Sequence, residues 1–256
     1  MQDNLVSIIT PMYNASRFVA QTIESVLVQT YPHWEMLVIN DGSKDNSAEI
    51  VEGYIKRDNR IKLFHQENSG TAAARNNSIR RANGRYIALL DADDLWKPMF
   101  LESQLNLLKK TNGLLVYASF NWVDENNLEC SPPYIVEGQI GYKDLLKRTL
   151  IMSSTGIYDT SVFGKIYFKE ELKSLRDDYT YWLEIIKKAK FAYANSEILA
   201  SYRIVCNSVT RNKKKLIIPQ FNIYYKVEKL GLFRSLYYLC NWAVYGFLKH
   251  RKIRSK

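Results

Sequence analysis

The sequence has few cysteines, few histidines and no long apolar run. The three cysteines, Cys130, Cys206 and Cys240, lie far apart and are odd in number, which predicts a reducing compartment and no disulfide framework. The three histidines lack the spacing of metal ligands, which argues against a zinc site. No stretch of about 20 apolar residues occurs, so no segment is expected to span a bilayer. The early Asp3 and the short apolar run after it argue against a signal peptide.

Most of the chain carries no excess of positive charge. The 256 residues carry a formal net charge of +10, but residues 211–256 hold twelve Lys or Arg and a single acid, Glu228. The rest of the chain is therefore close to neutral, and we expect no nucleic-acid partner. With 46% apolar and 24% charged residues, the composition is that of a globular protein with one large or two modest domains.

Buried strands and amphipathic helices alternate over the first third of the chain. Short apolar runs predict four strands, at residues 5–10, 35–40, 61–66 and 84–90. Apolar residues at helical spacing predict the intervening helices, at residues 16–29, 48–57 and 71–82. Asn14 or Ser16 is expected to cap the first helix. This alternation predicts an α/β fold with a mostly parallel sheet covered by helices on both faces.

The alternation weakens after residue 95. We predict helices at residues 99–110, 141–151 and 175–190, strands at 114–124 and 191–205, and a loop at 129–138. No linker or internal repeat separates these elements from the first half. Residues 1–95 and 96–210 are therefore expected to be two halves of one domain, followed by a tail, residues 211–256.

Three carboxylates follow the fourth predicted strand, within the segment LLDADDLW of residues 89–96. Acidic side chains beside a buried strand need a partner, which leaves a metal ion, an arginine or water. Alternation puts Asp91 and Asp93 on the same side of the strand end, and Asp94 is expected to cap the next turn. Because ligands bind at the carboxyl ends of parallel strands, the loops PMYN, NDGS and DADD are expected to meet at one edge of the sheet.

The tail combines aromatic residues with a basic end. Residues 235–248 form an apolar and aromatic run that precedes a cluster of Lys and Arg. This pattern predicts that residues 233–256 form a helix lying in a membrane interface. The alternative is a terminal helix packed on the body, with a solvated basic tip.

Four segments resemble the inverting family 2 glycosyltransferases with a GT-A fold, in that family's order and spacing. They are VSIITPMYN, SVLVQTYPHWEMLVINDGSKDNS, GTAAARNNSIRRANGRYIALLDADD and RDDYTYWL. The resemblance covers most of residues 5–185 and implies a Rossmann-like, mostly parallel central sheet flanked by helices. It also implies an enzyme that transfers a sugar from a nucleotide-sugar donor to a saccharide acceptor, with inversion by a single displacement.

The resemblance further implies a biological setting. UDP-sugars are the favoured donors, and the acceptor is expected to be lipid-linked. The product is expected to belong to a surface polysaccharide such as O-antigen, capsule or lipooligosaccharide. Such an enzyme would work in the cytoplasm as a peripheral protein at the inner face of the cell membrane, with Mn²⁺ or Mg²⁺ as cofactor.

On the donor side, the resemblance assigns roles residue by residue. Pro11 and Tyr13 are expected to line the pocket for the base, and Asp41 to meet the uracil. Asn40 stands where the family usually has another Asp. Asp93 is expected to contact the metal ion, with Asp91 nearer the ribose or a metal-bound water. Arg75, on the preceding helix, is a candidate partner for Asp91 or for a phosphate.

On the acceptor side, the resemblance assigns a catalytic base. The family pattern is an acid followed by Asp, with Trp four residues later, and Asp178 and Trp182 match it. Asp178 is therefore the expected base, at a helix start where the helix dipole favours an ionised carboxylate. Asp177, which replaces the usual Glu, is expected on the acceptor side together with Trp182, Ser154 and Thr155.

One departure concerns the metal shell. Many relatives have a His in the segment that corresponds to residues 201–210, where Val205 stands in this chain. Asn207 or Ser208 is an alternative ligand, and the ion is otherwise expected to have fewer protein ligands.

Two other functions compete with a glycosyltransferase. A sugar-phosphate nucleotidyltransferase would need a glycine-rich basic loop after the first strand, but PMYNASRF contains no glycine. A non-catalytic nucleotide-sugar-binding protein with a degenerate site is the remaining alternative. The joint presence of Asp41, Asp93 and Asp178 argues against it.

Overall fold

Four parallel strands form one half of a ten-stranded central sheet. The computed structural model describes residues 2–172, 176–204 and 216–254. The strands are β1 Gln2–Met12, β2 Trp34–Asp41, β3 Ile61–Gln66 and β4 Gly84–Leu89, in the spatial order β3-β2-β1-β4. They are connected by helices α1 Val19–Leu27, α2 Ser47–Ile55 and α3 Thr71–Arg81. This half confirms the predicted alternation, since each apolar run is a strand that pairs in parallel with its neighbour.

The second half extends the same sheet with mixed pairing. Its strands are β5 Leu95–Trp96, β6 Leu115–Val123, β7 Glu129–Tyr134, β8 Gln139–Gly141, β9 Gly156–Asp159 and β10 Phe191–Arg203. Its helices are α4 Phe100–Thr111, α5 Tyr142–Lys147 and α6 Asp177–Ala189, with 3₁₀ turns at Ser153–Thr155 and Glu170–Leu172. β9 pairs antiparallel with both β4 and β6, while β6 and β10 are parallel.

The hydrophobic core lies on both faces of this sheet. In β1, Ile8 packs into the cluster on one face and Ile9 into the cluster on the other, as the two-residue period of a strand requires. Both clusters contain residues from the first and second halves of the chain. The core on each face of the sheet is therefore shared by the two halves of the chain.

Three local predictions differ from the structure. The predicted loop at 129–138 contains β7, whose prolines are tolerated because β7 pairs with β6 at the edge of the sheet. Neither Asn14 nor Ser16 caps α1, which begins at Val19 without a side-chain cap. Asn14 instead accepts a hydrogen bond of 2.8 Å from the backbone N–H of Lys44. The helix predicted at 141–151 ends at Lys147.

The C-terminal segment folds into helices that pack on the second half. They are α7 Ile217–Asn222, a π-helix at Ile223–Val227 and α8 Leu232–Arg254. Tyr224 is fully buried and donates a 2.6 Å hydrogen bond to the carbonyl of Leu146. The predicted tail helix is confirmed, and within the described ranges no helix is long and apolar enough to cross a membrane.

Candidate active site

The acidic loop, residues 90–94 between β4 and β5, is held rigidly by helix α1. The hydroxyl of Thr22 donates hydrogen bonds of 2.9 Å to the carbonyls of both Ala92 and Asp94. The backbone N–H of Asp94 closes a turn onto the carbonyl of Asp91 at 3.1 Å. The loop therefore presents its carboxylates from a fixed backbone at the carboxyl edge of the sheet.

Asp94 lies inside the protein and does not cap a helix. It is 1% exposed, and its carboxylate accepts hydrogen bonds from the Ser154 hydroxyl at 2.5 Å and from the Arg203 backbone N–H at 2.9 Å. Burial, and then the nearby carboxylates of Asp93 and Asp91, raise the pKa of Asp94 well above its usual value. The expected capping role is wrong, because Asp94 links the acidic loop to the second half of the chain.

Arg75 joins the acidic loop to the start of helix α6. It is buried, and its guanidinium donates to Asp91 at 2.6 Å and to Ser153 at 3.0 Å, and reaches Asp177 at 3.4 Å. Burial alone would lower the pKa of Arg75, but the carboxylates of Asp91 and Asp177 raise it. The predicted contact between Arg75 and Asp91 is confirmed. It gives the site a fixed positive charge.

Asp93 is an acidic side chain whose charge is only partly compensated by the nearby Arg203 and Arg75. Burial, and then the carboxylate of Asp91, raise the pKa of Asp93 to about 6. Its backbone carbonyl accepts a 2.7 Å hydrogen bond from Arg203. A carboxylate in such a setting is stabilised by a bound cation.

The donor atoms of Asp91 and Asp93 fit a hard divalent cation. Mg²⁺ and Mn²⁺ take oxygen ligands, and Mg²⁺ commonly uses one or two carboxylates together with waters and substrate phosphates. Across the described ranges, no group of three or more His, Cys, Asp or Glu side chains forms a complete metal site. Two carboxylates would leave the other coordination positions of such an ion to waters or phosphate oxygens.

Arg203 is a site residue that the sequence did not reveal. It is 2% exposed, and its guanidinium also donates to Gln21 at 2.9 Å and to Asn127 at 2.7 Å while lying 4.6 Å from the centre of the Phe18 ring. The one feature of the sequence that could have identified Arg203 is its position, as a charged residue at the end of a buried strand, which it shares with Asp91. Arg203 fixes the backbone of the acidic loop from the side of β10.

Asp41 has a structural task at the end of β2. It is 3% exposed, and its carboxylate accepts hydrogen bonds of 2.8 Å from the Gln66 side chain, 2.8 Å from the Ser69 N–H and 2.9 Å from the Gly70 N–H. These bonds hold the loop that leads into α3. A carboxylate has about four acceptor positions, so one remains for a ligand.

Pro11 and Tyr13 lie beside Asp41 at the carboxyl edge of the sheet. Pro11 of β1 is in register with Ile39 of β2, two residues before Asp41. The side chain of Tyr13 is 52% exposed just after β1 ends. The structure thus brings the three predicted base-pocket residues to neighbouring strand ends, with an open aromatic ring among them.

Asp177 and Asp178 occupy the first turn of α6 but differ in environment. Asp177 is buried, which raises its pKa although Arg75 acts in the opposite direction. Asp178 is half-buried, and its carboxylate accepts a 2.7 Å hydrogen bond from the Tyr179 N–H. Burial, followed by the charges of Asp94, Asp91, Asp93 and Asp178, raises the pKa of Tyr202. The hydroxyl of Tyr202 is therefore within electrostatic range of both Asp178 and the acidic loop.

Three predicted acceptor-side residues lie beneath the site. Ser154 and Thr155 are each 2% exposed and Trp182 is 0% exposed. Ser154 bonds to Asp94, while the Thr155 hydroxyl donates to the carbonyl of Met152 at 2.9 Å. These three residues are buried behind the site, and their place on the acceptor side stays a prediction. The expected metal-shell positions lie outside the described residues; they are Val205, Asn207 and Ser208.

The fold and the arrangement of acids define the class of this protein. Residues 7–175 match the family described as glycosyl transferase family 2. The chain belongs to this family and is a glycosyltransferase with a GT-A fold. The resemblance read from the four sequence segments is confirmed.

Particular relatives match along nearly their whole length. The putative teichuronic acid biosynthesis glycosyltransferase TuaG of Bacillus subtilis (strain 168) is 35% identical over 240 residues, which covers 93% of this chain and 94% of the relative. The UDP-Glc:alpha-D-GlcNAc-diphosphoundecaprenol beta-1,3-glucosyltransferase WfgD of Escherichia coli is 36% identical over 252 residues, which covers 98% of this chain and 96% of the relative.

Solved structures with the same fold are more distant in sequence. S. aureus TarS 1-349 in complex with UDP is 20% identical with a TM-score of 0.67, covering 85% of this chain and 65% of that one. The mannosyltransferase PcManGT of Pyrobaculum calidifontis, in complex with GDP-Man and Mn²⁺, is 16% identical with a TM-score of 0.68, covering 93% of this chain and 70% of that one. Both carry the same arrangement of sheet and helices.

Proposed function

We propose that this enzyme transfers a sugar from a UDP-sugar to a lipid-linked saccharide during assembly of a bacterial surface polysaccharide. The observation that carries the proposal is the position of Arg75, whose guanidinium joins Asp91 of the acidic loop at 2.6 Å to Asp177, directly before Asp178, at 3.4 Å. The printed names of TuaG and WfgD support the polysaccharide setting, and that of WfgD supports a UDP-sugar and a diphosphoundecaprenol-linked acceptor. The complex of TarS with UDP supports the same nucleotide.

On the donor side, each described residue has a specific task. The exposed ring of Tyr13 stacks on the base, and Asp41 uses its remaining acceptor position for the uracil imide N–H. Asp93 and Asp91 would hold Mn²⁺ or Mg²⁺, and the ion would supply positive charge beside the leaving diphosphate. Arg75 keeps Asp91 in place and contributes positive charge beside it.

On the acceptor side, Asp178 acts as the general base. An acceptor hydroxyl attacks the anomeric carbon from the face opposite the diphosphate, and Asp178 removes its proton, so configuration inverts in one displacement. The half-buried position of Asp178 at the start of α6 leaves its carboxylate within reach of a ligand and close to the positive end of the helix dipole. General-base assistance is worth about 10²–10⁴-fold in rate.

The test compares two carboxylate variants on the same helix. Asp178→Asn is expected to lower the transfer rate by about 10²–10⁴-fold while UDP binding stays unchanged. Glu184→Gln, which alters a partly exposed carboxylate that pairs with lysines on α6 and nearby, is expected to keep full activity. Normal turnover by Asp178→Asn would refute the assigned base. Absence of turnover by the wild type with every UDP-sugar and polyprenyl diphosphate acceptor would favour a non-catalytic binding protein.

The donor nucleotide is tested by thermal denaturation. UDP with Mn²⁺ is expected to stabilise the protein by about 2.7 kcal/mol at a hundredfold excess over Kd, whereas GDP is not. Asp93→Ala is expected to lose the part of the shift that requires Mn²⁺. Equal shifts with GDP would contradict the proposed donor class.

Helix α8 supports a membrane-surface location for the enzyme. Phe233 is 86%, Leu236 44%, Tyr237 53% and Val244 56% exposed, and their spacing puts them on one face of the helix. The same helix runs into the basic C-terminal end of the sequence. An exposed apolar stripe next to clustered Lys and Arg suits the interface of an anionic bilayer.

Point substitutions test the membrane-surface location better than deletion of α8 does, because α8 also packs on the second half of the chain. Phe233→Ser combined with Val244→Ser is expected to reduce sedimentation with vesicles of phosphatidylglycerol. Val162→Ser removes an equally apolar side chain, 70% exposed, outside α8, and is expected to leave sedimentation unchanged. Undiminished binding by the double variant would contradict the proposed membrane surface.

A further inference from the structure

Arg176, which immediately precedes helix α6, has an unusual backbone conformation. Its φ is 65° and its ψ is 24°, which is the left-handed region that residues with a side chain rarely adopt. Its carbonyl accepts a 3.2 Å hydrogen bond from the N–H of Thr180 and so closes the first turn of α6. The conformation of Arg176 therefore sets the direction in which Asp177 and Asp178 leave the chain.

The side chain of Arg176 is anchored on the C-terminal helices. Its guanidinium donates to the side chain of Gln220 on α7 at 2.9 Å and to the hydroxyl of Thr149 at 2.7 Å. It also lies 4.7 Å from the ring centre of Tyr179 and 5.7 Å from that of Trp242 on α8. Two hydrogen bonds and two aromatic rings thus hold one guanidinium in a single position.

The opposite side of the same turn is anchored on the donor half. Asp177 lies 3.4 Å from Arg75, so Asp177 is fixed from the first half of the chain and Arg176 from the C-terminal helices. Tyr179, which follows Asp178, donates a 3.0 Å hydrogen bond to the carbonyl of Leu145 and lies 3.4 Å from the hydroxyl of Tyr224. Around Asp178, Arg176 and Tyr179 therefore contact the C-terminal segment, while Asp177 contacts Arg75.

We propose that Arg176 is a positioning residue through which helices α7 and α8 orient Asp178. The proposal rests on the proposed role of Asp178 as the base. Within the part of the chain that the structure describes, the side chain of Arg176 contacts Gln220, Thr149 and two aromatic rings, none of which belongs to the acidic loop or the base pocket. Its effect is therefore expected on the chemical step and not on nucleotide binding. Helices α7 and α8 then contribute to catalysis as well as to the membrane contact proposed for α8.

The key variant is Arg176→Gly. Glycine adopts a positive φ readily, so this change removes the guanidinium but leaves the backbone conformation accessible. A misplaced base can cost up to about 10²-fold in rate, and kcat is expected to fall by about that factor. The affinity for UDP with Mn²⁺ and the KM for the UDP-sugar are expected to stay unchanged. Arg176→Lys keeps the cation over the two rings and is expected to restore part of kcat.

A second set of variants approaches the contact from the tail. Gln220→Ala and Trp242→Leu are each expected to lower kcat without affecting UDP affinity. Either one combined with Arg176→Gly is expected to cost less than the sum of the single effects, because the partners share one interaction. Arg57→Ala removes an arginine that lies over the ring of Tyr54 on α2 at 5.1 Å and is expected to keep wild-type kcat.

The outcomes separate this inference from the proposed function. Wild-type kcat in Arg176→Gly, or a fall in UDP affinity that parallels the fall in kcat, would overturn the positioning role. If Arg176→Gly does not fold, additive losses in the Gln220→Ala and Trp242→Leu variants would overturn it as well. Full activity of Asp178→Asn would instead refute the base itself, whatever Arg176 does.

Discussion

Arg75 and Asp91 form a 2.6 Å ion pair across the carboxyl edge of the sheet, and the arginine is 5% exposed while the aspartate is 26% exposed. The pair joins a helix to the end of the next strand. A guanidinium placed in this way neutralises one of the clustered acids without a metal ion, so it contributes to stability as well as to the site.

Replacing Arg75 by Met is expected to destabilise the protein strongly. The change leaves the carboxylates of Asp91 and Asp177 without their cation, and breaking a buried pair from one side costs about 3–5 kcal/mol. Urea denaturation measures the free energy of unfolding. Arg57→Ala breaks an ion pair whose side chains are 63% and 48% exposed and is expected to cost at most about 1 kcal/mol. Similar losses in both variants would contradict the structural role of Arg75.

Replacing Arg203 by Lys is expected to weaken binding of UDP with Mn²⁺. A lysine cannot reach the Asp93 carbonyl, Gln21 and Asn127 together, so the acidic loop loses its fixed backbone. We expect Kd to rise about tenfold, which corresponds to about 1.4 kcal/mol, in isothermal titration calorimetry.

Arg85 provides the matched control for that measurement. Its guanidinium pairs with Asp159 at 2.6 Å from the start of β4, at the opposite end of the strand from the site. Arg85→Lys is expected to leave Kd unchanged. An equal rise in both variants would indicate general destabilisation instead of a local effect.

Replacing Gly156 by Ala is expected to destabilise the fold through overpacking. A Cβ atom at this position would lie 2.4 Å from the Trp182 ring, and forcing extra atoms into a packed core costs about 1–3 kcal/mol. Gly53→Ala is the control, since a Cβ there meets nothing within 4 Å and alanine stabilises a helix by about 0.4–1 kcal/mol. Thermal denaturation should therefore shift in opposite directions for the two variants.

Glu35 is expected to make stability depend on pH in the acid range. Burial alone would raise its pKa, but hydrogen bonds from the Asn83 N–H, Lys62 and Ser7 lower it below the usual value of 4.5. Because the folded-state pKa is depressed, this stabilisation is present above pH 4.5 and is lost as pH falls through the folded-state value.

Urea denaturation at a series of pH values tests this expectation. Glu35→Gln is expected to show a smaller loss of stability than the wild type as pH falls from neutral to below 4.5, since it has no proton to take up. Substitution of the exposed Glu52 by Gln is expected to follow the wild type. An unchanged slope in Glu35→Gln would rule out this carboxylate as the source.

Strands β2 and β4 could be predicted because nearly all of their residues are buried on both faces of the sheet. β2 has no exposed residue, and such a strand appears in the sequence as a continuous apolar run. The position of the polar loops at the strand ends then follows from the topology. The pairing of Arg75 with Asp91 follows because α3, which carries Arg75, leads directly into β4, after which Asp91 lies.

Contacts between distant segments could not be predicted in the same way. Arg203 lies 109 residues from Asp94, and Ser154 lies 60 residues from it. Both contacts depend on where β9 and β10 insert into the sheet, and no local pattern encodes that insertion. The burial of Trp182 has the same origin, since the ring lies against Gly156 of β9.

The two prolines of β7 have a consequence for behaviour in crowded solution. β7 pairs with β6 within the described residues, and Pro132 and Pro133 supply no N–H for a further strand. An edge with fewer donors is a poorer template for another chain, which protects against aggregation. The loss of two donors therefore makes pairing between copies of the enzyme through β7 less favourable.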